Sequence, residues 1–80
     1  MQTNTRPMLT VVTQNVMTTL SNEQVARAVN MLYEAMMKPD PDNPNLWVAR
    51  LDGYIVWGIL DEGAGPEGQD AFTVLFPEDY

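Results

Sequence analysis

The chain predicts an α+β domain, with one helix packed on a mainly antiparallel sheet and elements in the order β-α-β-β-β. Three observations carry this. A well-capped amphipathic segment occupies residues 22–38, two apolar runs flank Asp52-Gly53, and a short alternating run at 71–76 stops at Pro77. A single helix alongside several strands has to bury its apolar stripe on a sheet face. At 80 residues the chain has room for one domain, 1–80, around one core.

The first seven residues, Met1 to Pro7, read as a polar, flexible leader. No apolar run of signal-peptide length follows them. From Met8 to about Met17 the residues are mostly β-branched or apolar (Leu9, Thr10, Val11, Val12, Thr13, Val16), which predicts a strand. The helix comes next. Ser21 is its N-cap, Gln24 completes a capping box, and Leu20 and Val25 occupy the hydrophobic-staple positions. Val25, Ala28, Val29, Leu32 and Met36 recur at helical spacing and form one stripe. Glu23 with Arg27, and Glu34 with Lys38, are i,i+4 pairs in the favourable order. Pro39 pushes Lys38 out of helical geometry and ends the segment.

After a stiff loop from Asp40 to Asn45, residues 46–60 form a hairpin. Asp52-Gly53 suits the positive φ angles of a two-residue type I′ turn, and that turn sets the register. Leu51 faces Tyr54, Arg50 faces Ile55, Ala49 faces Val56, Val48 faces Trp57, Trp47 faces Gly58 and Leu46 faces Ile59. Opposite a strand glycine, the Trp47 ring has a gap to cover. Glu62 to Asp70 reads as a flexible acidic loop, and the last strand follows at 71–76. Phe72, Val74 and Phe76 point to one side of it, and Thr73 and Leu75 to the other.

Both hairpin faces are apolar, whereas one helix covers one face. Leu46, Val48, Ile55, Trp57 and Ile59 form the more aliphatic set and are assigned to the core. Trp47, Leu51, Tyr54 and Val56 are then left on the far side, where tryptophan and tyrosine suit the energetic centre of an interface. The first strand, the leader or the long loop could fold over that face instead, and self-association as a homodimer is a third cover.

Charge is divided unevenly. Residues 1–38 hold Arg6, Arg27 and Lys38 against Glu23 and Glu34. Beyond them Arg50 alone stands against nine acids: Asp40, Asp42, Asp52, Asp61, Glu62, Glu67, Asp70, Glu78 and Asp79. In a meander, Asp40, Asp42, Asp61, Glu62, Glu67 and Asp70 gather at one end of the sheet, and the other three at the opposite end. Such an edge speeds encounter with a basic protein surface and repels nucleic acid and anionic membrane.

The chemistry of common enzymes is missing from the composition. With no histidine and no cysteine, the chain has no imidazole base and no thiolate. The lone serine, Ser21, is spent as a helix cap. Asp40-Pro41-Asp42-Asn43 resembles the start of a calcium loop, but Asn45 and Leu51 stand where glycine and glutamate are needed. Gly63, Gly65 and Gly68 lack the lysine of a phosphate loop. No catalytic residue, cofactor or metal site is therefore assigned, and a soluble cytoplasmic protein is expected. In size, acidity and lack of cysteine the chain resembles the small proteins that phages and mobile elements use against host machinery, such as anti-CRISPR and anti-restriction proteins. That likeness implies an inhibitor or regulator of a larger intracellular protein. Trp47, Leu51, Tyr54 and Val56 would be its anchor and the loop-end acids its rim. The alternative is a DNA mimic, with carboxylates standing in for phosphates.

Overall fold

The computed structural model describes residues 8–38, 42 and 44–80; the leader and Asp40 lie outside them. Strand β1 spans Leu9–Val12, helix α1 Gln14–Thr19, helix α2 Asn22–Met36, β2 Leu46–Leu51, β3 Tyr54–Asp61 and β4 Ala71–Leu75, and Pro77–Asp79 form a final 3-10 turn. The strands lie in the order β1-β4-β3-β2, giving a four-stranded mixed sheet with both helices on one face. Its β2-β3-β4 meander is antiparallel, and β1 joins the far edge parallel to β4.

The hairpin closes as its turn dictates. Asp52 and Gly53 take φ angles of 52° and 82°, and all six expected residue pairs are present, from Leu51 with Tyr54 to Leu46 with Ile59. Helix α2 carries the expected capping box: Ser21 Oγ accepts from the Gln24 backbone N–H, and Gln24 Oε1 accepts from that of Ser21. It ends at Met36, one turn before Pro39. Arg27 does not stay with Glu23. It reaches Asp52 at 3.2 Å, and Gln24 donates to the same carboxylate, so the helix N-terminus docks on the hairpin turn.

Two expectations are corrected. The first strand stops at Val12, because Thr13 caps a short helix by accepting from the Val16 N–H. Val16 and Leu20, four residues apart, then point together into the core. The β-branched composition of 8–17 favours a strand locally; burial of that pair outweighs it. Asp79 locks the junction from outside, accepting from Thr13 Oγ1, Asn15 Nδ2 and the Phe76 N–H at 3.0–3.1 Å.

The second correction concerns the faces of the sheet. Trp47, Ala49, Leu51 and Val56 lie beneath the helices with Ala28, Leu32, Phe72, Val74 and Phe76, while Val48 and Ile55 face outward. The third strand makes this choice. Phe72 and Val74 on β4 and Phe76 just beyond it share one side, and the β3–β4 register sets Gly58 beside Val74 and Leu60 beside Phe72. Gly58 has to share a face with Phe72, since a Cβ there would lie 2.4 Å from the tip of the Phe72 ring. Phe72, together with Trp47, fills the space over the glycine. Its ring is fully buried against Tyr33 and Trp47, with centroids 5.8 and 6.1 Å away, and its burial contributes about 3 kcal/mol as an upper estimate. The Trp47 indole N–H is buried and finds no acceptor among the described residues.

Candidate interaction surface

The face of the sheet away from the helices is built from alternate residues of all four strands: Leu9 and Val11 on β1, Thr73 and Leu75 on β4, Ile55, Trp57 and Ile59 on β3, and Leu46, Val48 and Arg50 on β2. Val11, Val48 and Ile55 are 43–46% exposed. Across the middle, Trp57 sits between Val48 and Leu75 in the strand register. The 3-10 turn folds back against β3 and sets the Tyr80 ring near Trp57, with centroids 6.0 Å apart and planes at 65°. No described helix covers this face. A surface this apolar is unusual for a monomeric domain, whose sheets commonly turn a polar side to water.

Of the expected anchor residues, three move to the core. Trp47, Leu51 and Val56 are buried under the helices and present nothing to a partner. Tyr54 is the exception at 38% exposed, at the margin of the helix face, where its ring stacks on Phe76 at 6.1 Å. Sequence reasoning recognised both residue sets and exchanged their roles. Aliphatic content was the wrong criterion, because aromatic rings bury more area per residue. The usable signal was Gly58, whose empty side had to match the bulky side of β4.

The acids divide as the meander requires. At the turn end two of the three are structurally employed: Asp52 binds Arg27 and Gln24, and Asp79 caps the 3-10 turn and ties it to α1, while Glu78 is exposed. The hydrogen bond from Asn15 lowers the Asp79 pKa; partial desolvation opposes this, and bonds from Phe76 and Thr13 reinforce it. At the loop end, Asp42, Asp61, Glu62, Glu67 and Asp70 are exposed. Asp70 accepts from the Gly63 N–H, and Gln69 accepts from the Glu67 N–H, so the loop expected to be flexible is folded on itself. The carboxylates of Asp61, Glu62 and Glu67 have no hydrogen-bond or ion-pair partner among the described residues. Their field therefore reaches solvent unneutralised.

Among the described residues no group of three or more acids is arranged to hold a metal ion, and no helix is long and apolar enough to cross a membrane. Compared with protein-family models, curated proteins and solved structures, the chain matches none.

Proposed function

We propose that this chain is a non-enzymatic binding module that grips a larger protein, inhibiting or regulating it, through the open face of its sheet. The observation that supports this reading best is the apolar surface formed by Val11, Val48, Ile55 and Trp57, bordered at one end by the exposed carboxylates of Asp61, Glu62 and Glu67. An apolar centre with a charged rim is the common anatomy of a protein interface. A net charge of −7 selects against a second copy or a nucleic acid and for a partner with a basic rim. A DNA mimic would string its acids along the surface. Here Asp42, Asp61, Glu62, Glu67 and Asp70 lie at the loop end and Asp52, Glu78 and Asp79 at the turn end, and the acids of helix α2 are Glu23 and Glu34 alone.

The test is affinity capture from a cell lysate at low and high salt, comparing the natural chain with a Val48→Lys/Ile55→Lys double variant. The expected result is one partner retained at both salt concentrations by the natural chain and lost by the folded variant. Equal capture by both proteins would remove the open face from consideration. Capture abolished by salt and competed by DNA would instead support the mimic.

A further inference from the structure

Beside Trp57 the open face is not flat. The start of β2, the middle of β3 and the C-terminal turn enclose an open groove of about 420 Å3, lined by Asp42, Pro44, Asn45, Leu46, Trp57, Ile59 and Tyr80. Its composition is selective. Leu46 and Ile59, paired across the two strands, give it an apolar floor. The Trp57 and Tyr80 rings, inclined at 65°, form its aromatic wall. Asp42 sets a carboxylate at its rim, close in sequence to β2 and at the loop end of the sheet.

Building on the binding reading above, we infer that this groove receives an arginine side chain of the partner. An arginine has an apolar stem for the floor and a flat, weakly hydrated cation for the ring faces, and its N–H groups remain in plane for a carboxylate. A lysine ammonium is more strongly hydrated and offers no flat surface to stack. An anionic side chain would be repelled by Asp42 and by the neighbouring loop acids. A purely aliphatic one would use the floor alone and gain nothing from the carboxylate. The groove also lies at the end of the molecule where the exposed acids Asp61, Glu62, Glu67 and Asp70 concentrate, so steering and capture act on the same basic feature.

The probe is acetyl-Gly-Arg-Gly-amide, titrated into the isotope-labelled protein and followed by amide and indole NMR signals beside its lysine and citrulline counterparts. The arginine peptide is expected to move the Trp57 indole and the Ile59 amide while leaving the buried Trp47 indole still, and to bind about threefold tighter than the lysine peptide. The neutral citrulline peptide is expected to produce no shift. Trp57→Ala should weaken arginine binding about fivefold and Asp42→Asn about twofold. Asp42 is exposed, so its variant carries the test if loss of the indole unfolds the domain. Shifts confined to the Glu62–Asp70 loop and equal for arginine and lysine would overturn the inference, as would unchanged binding by the Asp42 variant. Val48 and Ile55 do not line the groove, so partner capture that remains sensitive to them after a failed titration would sink the arginine site alone.

Discussion

The two faces of this sheet carry similar side chains, each with one tryptophan and several aliphatic residues, yet one is dry and the other meets solvent. Under the helices, Trp47, Val56, Phe72 and Val74 interlock around a glycine and exclude water. On the far side, Val48 and Ile55 are half-exposed on the same strands, and Tyr80 leans over Trp57. The contrast teaches that apolar character does not decide which side becomes interior. Shape does, because only one face offers a hole that a neighbouring ring can fill.

This contrast can be broken most severely from the buried side. Phe72→Ala should cost about 3–5 kcal/mol, which for a domain of this size leaves little or no folded protein in urea titration. Gly58→Ala should come next, at about 1–3 kcal/mol, since its methyl drives into the Phe72 ring. A Gly58→Ala/Phe72→Leu double variant that recovers stability would confirm that the two sites share one space. Ser21→Ala removes a cap and should lower the urea midpoint by about 1 kcal/mol in stability. Val48→Lys and Ile55→Lys, in the open face, should each change stability by less than about 0.5 kcal/mol. A large loss there would mean that the open face is held by something besides water.

Acidity sharpens the comparison at the sheet's turn end. The folded-state pKa of Asp79 is lowered, so its contribution to stability is present above the ordinary carboxylate value of 3.8 and is lost as pH falls through the lower folded value. Asp79→Asn should therefore be less stable than the natural chain at neutral pH. The two should converge in strong acid when thermal unfolding is followed by circular dichroism. A gap independent of pH would assign the effect to the lost geometry of the cap instead of its charge.

Much of the architecture is legible in the amino-acid order. Ser21 and Gln24 announced a helix start, and Asp52-Gly53 dictated a register that holds pair for pair, because caps and tight turns are satisfied by residues a few positions apart. The meander then sorted the acids between the two ends. Thr13 could not be read in the same way. Its cap bond with Val16 is local, but the helix it starts is held in place by Asp79, 66 residues away from Thr13, and by a core that accepts Val16 and Leu20. The arrangement of an open face with a groove near Trp57 was equally hidden, since Pro77 and Asp79 mark a turn locally but do not say which strand it folds back on.

What the amino-acid order determined by itself was the set of elements with local closure: the capped helix, the two-residue hairpin and the acid-rich connections. Only the tertiary structure decided where β1 docks, that residues 14–19 coil into a helix, and which hairpin face turns inward. The physical reason is range. Capping and turn formation pair groups that are neighbours in the chain, whereas the choice of interior depends on Phe72 meeting the empty side of Gly58, a contact that exists only once three strands lie side by side.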